Sequence, residues 1–171
     1  EPTIILILRS FELILLCVLR LFIKSYCDIQ PIVIYSTDIT ILFFSFSKSP
    51  LYLNQRLVAI RVKKKNTEIV SALLNSIVSL LIVELNGVSR NLGALDLNAD
   101  FFKTKMKMFD PSLLSDKQAK NISSKFEILS KRQIQDYENE YKQKDRIEFD
   151  EAILKAYGFK IDILPHLDSL L

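Results

Sequence analysis

Glycine is scarce: residues 87, 93 and 158 are the three present in the 171-residue chain. A phosphate cradle needs several glycines within a few residues, because backbone amides must approach oxygens without a Cβ in the way, so neither a P-loop nor a dinucleotide fingerprint can be built. Histidine is scarcer still. His166 stands alone, after Pro165 in the C-terminal tail, and with no motif around it a nucleophile triad has no imidazole base; it reads as a surface or helix-end residue. Cys17 and Cys27 are the two cysteines. Two thiols and a distant imidazole do not make a four-ligand zinc site, and no close cysteine or histidine pair occurs. The thiols read as buried and free in a reduced, intracellular and cytoplasmic protein, with a disulfide between them as the alternative.

What is present suffices for one sizeable core plus an appendage, without disulfide support. The chain starts at Glu1 rather than Met and is already apolar by position 4, which reads as a piece of a longer product. Net charge is +3, unevenly placed. Residues 1–47 carry three basic and four acidic groups, residues 48–107 ten and four, and residues 108–171 ten and twelve. The basic excess of the middle segment favours a polyanionic partner through steering and counterion release; a solvated basic face with no partner is the plainer reading.

Thr3 to Ile23 is nearly continuous Ile, Leu, Val and Phe, long enough to span a bilayer as a helix. Arg9, Glu12 and Arg20 oppose that, since a charge near mid-span costs about 2.5 to 3.5 kcal/mol. A buried helix with an Arg9–Glu12 pair is the expectation, a membrane span the alternative. Beyond Asp28 the β-branched and aromatic content predicts strands over Ile32 to Tyr35, Ile39 to Phe46 and Leu57 to Ile60, followed by a charged turn at Lys63, Lys64 and Lys65.

Asn66 or Thr67 can cap a helix, and Ile69, Val70, Leu73, Leu74, Ile77, Val78, Leu81 and Leu85 recur at the helical spacing until Gly87 ends it. This predicts one buried helix of 18 to 20 residues, roughly 30 Å long. Polar Ser89, Arg90 and Asn91 follow, then Gly93, a short strand at Leu95 to Leu97 and a short helix over Ala99 to Lys103. Lys103, Lys105 and Lys107 alternate with Thr104, Met106 and Met108, a period of two that predicts an extended segment with one basic face. Gln118 to Gln143 predicts a charged amphipathic helix with Ile122, Phe126, Leu129, Ile134 and Tyr137 on its apolar stripe. A last helix, Asp145 to Tyr157, is expected to turn Ile147, Phe149, Ile153, Leu154 and Tyr157 inward and to stop at Gly158.

Chemistry is hard to place. Glu148, Asp150 and Glu151 lie on a helix among lysines, where a solvated face is the default. A metal-dependent nuclease would have only Asp96 and Asp100 with Lys103 and Lys105. The adjacent Arg90 and Asn91 are better material, since their side chains suit guanine and adenine edges and lysines suit phosphates.

These residues carry a family likeness over about residues 48–160. YLNQRLVAIRVKKK from Tyr52, ALLNS at Ala72 to Ser76 leading to Glu84 and Gly87, the loop SRNLGALDL at Ser89 to Leu97 with the segment ending in Asp110 and Pro111, and DRIEFDEAILKAYGF at Asp145 to Phe159 come in the order expected. In this the chain resembles the C-terminal target-recognition region of adenine-specific DNA methyltransferases of restriction-modification systems, including the type that joins methylase and nuclease in one chain. The resemblance implies a region that helps to read DNA sequence while a separate catalytic domain supplies the chemistry. The chain departs from the family in lacking the motif of asparagine or aspartate, two prolines and an aromatic that holds the target adenine, and the glycine motif for S-adenosylmethionine. Its loop also lacks the further glycine usual after Gly93.

The expectation is therefore an α+β fold, with short strands around a long buried helix and a helical C-terminal third. Residues 1–47 form an apolar segment without an assigned role, and residues 48–171 a DNA target-recognition-like domain. The resemblance implies double-stranded DNA as partner, contacted by Lys63, Lys64, Lys65, Ser89, Arg90, Asn91, Lys103 and Lys105. No catalytic or metal-ligating residue and no cofactor is expected in this chain, S-adenosylmethionine belonging to a full-length parent. The alternative is an interaction module that docks on a partner or membrane through residues 3–23.

Overall fold

The computed structural model describes residues 8–9, 14–15, 31–34, 43–46, 58–62, 66–89, 95–96, 99–160, 162 and 165. Cys17, Cys27, Gly93 and His166 lie outside them, and so do the expectations attached to those residues.

Strands come first. They are β1 (Leu8–Arg9), β2 (Ile14–Leu15), β3 (Pro31–Ile34), β4 (Phe44–Phe46) and β5 (Val58–Arg61). Four of them form an antiparallel sheet in the order β2-β5-β3-β4, with Ile32 opposite both Ile60 and Phe46 and with Leu15 opposite Ile60. The sheet thus takes strands from both sides of residue 47. The helix expected over Thr3 to Ile23 is not what its described residues form: Leu8–Arg9 pairs with Phe109 and Met108, and Ile14–Leu15 with Arg61 and Ile60. A mostly apolar run whose few polar residues keep no regular spacing has no period from which to tell helix from strand, and β-strand partners decide it.

Helical structure follows as α1 (Thr67–Leu74) and α2 (Ile77–Asn86). The single helix expected here is two, meeting at 59°. Among the described residues no single helix is long and apolar enough to cross a membrane, and the bent pair passes only on combined length and composition. Leu73, Leu74, Ile77 and Val83 are buried inside the molecule. Then come β6 (Val88–Ser89), β7 (Leu95–Asp96), α3 (Ala99–Thr104), β8 (Met108–Phe109), a 3₁₀ turn (Pro111–Leu113), α4 (Asp116–Ser130), α5 (Tyr137–Glu140) and α6 (Lys144–Ala156). The α+β class with a helical C-terminal third holds.

Helix α4 stops at Ser130, well before Gln143, and Lys131–Asp136 is non-helical. It starts from a full capping box, in which Ser115 and Gln118 each satisfy the other's backbone amide. Helix α6 stops as expected, with Gly158 at a φ of +78° just past its end.

One hydrophobic core joins these elements. Strand β4 turns alternate side chains inward, Phe44 edge-on to Phe102 and Phe46 against Phe126, which in turn meets Phe149 of α6. Phe109 of β8 stacks on Tyr157 with ring centroids 4.4 Å apart, and the Tyr157 hydroxyl donates to the Asp110 carbonyl at 2.9 Å. Most of the α6 apolar set points inward as expected; Ile147 is exposed.

Candidate nucleic-acid interface

Strand β6 follows directly from α2, and α2 is held by a polar knot at its start. Asn75 and Ser76 interrupt an apolar helix, and each finds better partners outside a helical ladder than within one. Ser76 adopts an extended conformation and its hydroxyl caps α2 by accepting from the Ser79 amide at 3.3 Å. The Ser76 and Ser79 hydroxyls both donate to the Leu73 carbonyl at 2.8 Å, a carbonyl that the break leaves without its helical partner. Asn75 faces the sheet. Its Oδ1 accepts from the Phe44 amide at 2.8 Å and its Nδ2 donates to the Phe44 carbonyl at 2.7 Å, so the carboxamide closes the outer edge of β4 as a further strand would.

Helix α6 completes the knot. Asp150 Oδ1 accepts from the Ile77 amide at 2.9 Å, setting a carboxylate at the N-terminus of α2, where the exposed amides and the helix dipole favour negative charge. Arg146 Nε binds Asp150 Oδ2 at 2.7 Å and its Nη2 donates to the Asn75 carbonyl at 2.9 Å. Both side chains are buried, Asp150 to 2 % exposure. The solvated face expected at Asp150 is thus overturned, because two unpaired backbone groups at the helix break supply the partners a buried carboxylate and guanidinium require.

At its other end α2 stops at Gly87 and enters the antiparallel hairpin β6–β7, in which Val88 faces Asp96 and Ser89 faces Leu95. Ser89 is the last residue of β6. Arg90 and Asn91 belong to the connection between the strands and lie outside the described residues, as do Lys63, Lys64 and Lys65. Two residues after β7 the chain enters α3, whose last turn carries Lys103. Lys103 and Lys105 are exposed. Ser89 thus ends β6, Lys103 lies in the last turn of α3 and Lys105 just past it, and among the described residues no contact joins Ser89 to the two lysines.

The extended basic face expected from Lys103 to Lys107 is not formed. Lys103 is helical, and the Lys105 and Met106 amides still bond to the Phe101 carbonyl, so extended backbone begins only afterwards. Phe101 and Phe102 account for this: both are buried, and packing them takes a helical turn. Met106 and Met108 are buried as the alternation implied.

A second charged cluster was not foreseen. Arg132, in the non-helical link after α4, forms a two-bond fork with Glu140 at 2.7 and 2.8 Å and binds Asp145 through Nε at 2.6 Å. Burial of the Glu140 carboxyl acts to raise its pKa, but the bonds from Arg132 and from the Gln135 amide outweigh it and hold the group below its ordinary 4.5. The Arg132 hydrogen bond likewise holds Asp145 below 3.8, against a smaller opposing effect of burial. Among the described residues no three metal-ligating side chains converge.

No protein-family model, curated protein or solved structure matches the chain. The polar knot had a signal in the sequence, in the run NSIVS within an apolar helix and in Arg146 and Asp150 at a spacing of four. Both were open to reading as cap and buried partner.

Proposed function

We propose that the chain is the DNA-recognition part of an adenine-specific methyltransferase of a restriction-modification system, acting on double-stranded DNA beside a separate catalytic domain. The observation that carries this reading is the junction at Gly87. A buried two-helix support, fixed at its base by Asp150 and Arg146, ends in an antiparallel hairpin whose connecting residues include Arg90 and Asn91. Helices α1 and α2 are themselves too buried to enter a groove, so the hairpin connection is the part of this region left to meet DNA. Arg90 and Asn91 have the donors and acceptors to address base edges. Lys63, Lys64, Lys65, Lys103 and Lys105 would neutralise phosphates, and Ser89 would bond a phosphate or a base.

The test is a competition gel-shift series on random and selected duplexes. Arg90→Ala is expected to weaken the preferred duplex by about 1–3 kcal/mol and relax preference at one position. Lys103→Ala should weaken all duplexes alike. Equal binding of every duplex by Arg90→Ala and the parent chain would remove the loop from the recognition surface.

A further inference from the structure

A cavity of about 260 Å³ lies between β4, α4 and the start of α6. Its apolar walls are Phe44, Phe46, Phe126, Leu129 and Ile134, and Arg146 contributes its guanidinium. An apolar cavity of about 150 Å³ is enough to hold benzene, so this one takes a substituted ring.

Its polar side is selective. Arg146 is 6 % exposed, with Tyr141 and Phe149 rings 5.2 and 5.6 Å from its guanidinium carbon. Its Nε and Nη2 are committed to Asp150 and the Asn75 carbonyl, and among the described residues Nη1 has no partner. Nη1 is reached by solvent rather than sealed off, and a donor open to an apolar-walled cavity is a place for an acceptor. The remaining charges are consumed. Both oxygens of Glu140, Asp145 and Asp150 already accept hydrogen bonds, so no carboxylate oxygen there lacks a donor to draw a cation in. Arg132 is paired with Glu140 and Asp145 and Arg146 with Asp150, so neither arginine brings an unbalanced positive charge to the cavity.

We propose that this cavity binds a small, uncharged aromatic molecule bearing a hydrogen-bond acceptor such as a carbonyl oxygen, its ring among the phenylalanines and its acceptor on Arg146 Nη1. The site is independent of the DNA reading and stands or falls apart from it.

The experiment is a titration of the full chain with benzamide, toluene and benzoate, followed through the NMR methyl signals of Leu129 and Ile134. Benzamide should give saturable shifts; toluene, lacking the acceptor, should bind roughly tenfold more weakly, the equivalent of one hydrogen bond. Benzoate should bind no better than benzamide. Leu129→Trp, which fills the cavity, should abolish benzamide binding while leaving the unfolding midpoint in place, and Ile134→Trp, at the rim, serves should the first variant not fold. Absence of saturable shifts, equal affinity for toluene and benzamide, tighter binding of benzoate, or benzamide binding that survives the filled cavity would each overturn the proposal.

Discussion

Asp150 ties the last helix to the start of α2. It neutralises Arg146, caps α2 and, through Arg146, holds the Asn75 carbonyl, so its loss leaves a buried guanidinium and an orphaned amide together. Removing one member of a buried ion pair costs about 3–5 kcal/mol, a large share of the roughly 5–15 kcal/mol that stabilises a typical domain. Asp150→Ala should therefore unfold at markedly lower denaturant, whereas Glu151→Ala, its half-exposed neighbour, should change little. A near-neutral Asp150→Ala in urea unfolding would show that the knot is not where the helices are held. Arg132 acts on the pH axis instead. Glu140 and Asp145 titrate in the folded chain below their ordinary 4.5 and 3.8, so the unfolded chain takes up protons first as the medium is acidified. Their stabilisation is complete above those ordinary values and is lost as pH falls through the lower folded ones. Urea midpoints measured from about pH 7 down to about pH 3 should fall along an acid limb that Arg132→Met makes shallower. An unchanged limb would place the acid sensitivity elsewhere.

Among elements, the helix termini show where local chemistry outweighs periodicity. The apolar spacing from Ile69 to Leu81 runs through Asn75 and Ser76 undisturbed, and so it predicts one helix. The break depends on partners far away in sequence, Phe44 for the Asn75 carboxamide and Asp150 for the Ile77 amide, that no window around residue 75 contains. Ends with a local cause were legible: Gly87 after α2, and Gly158 after α6. At Gly158 the left-handed φ of +78° has open space around a would-be Cβ, so Gly158→Ala isolates the conformational cost. That cost should be about 1 kcal/mol, read as a lower thermal midpoint; no change would mean that the α6 terminus frays in solution. At the N-terminus of α4, Ser115→Ala removes one half of the capping box and should cost about 1 kcal/mol as well. The loss of helical pattern at Lys131–Asp136 was hidden by Ile134 and Tyr137, which extend the apolar stripe of α4 in sequence although the helix itself has ended.

For the whole molecule, the arrangement is a four-stranded sheet on which α1 is packed, with α4 and α6 against it and the β6–β7 hairpin carried at the end of α2. The order of elements from Pro31 to Ala156 was largely readable, since alternation, helical spacing and caps are local properties. The pairing of Leu8–Arg9 with β8 and of Ile14–Leu15 with β5 was not, because sheet partners of distant sequence leave no local mark. The candidate site rests on residue types, lysines with an adjacent arginine and asparagine, which the fold does not test; the support under α2 had its residues in plain sight, but that a buried acid on the last helix meets the start of α2 is a long-range fact no local pattern carries. On the proposed reading a duplex meets the β6–β7 hairpin region, and recognition of that kind has an electrostatic signature. If Lys63, Lys64, Lys65, Arg90, Lys103 and Lys105 each neutralise a phosphate or its equivalent, the logarithm of the association constant should fall against the logarithm of salt with a slope near −5, at about −0.9 per contact. Fluorescence anisotropy of a labelled duplex, titrated with the full chain over a series of salt concentrations, measures that slope directly. The account predicts a steep negative slope that Lys103→Ala reduces by about one, and a folded chain that fails to bind duplex DNA even at low salt would contradict it.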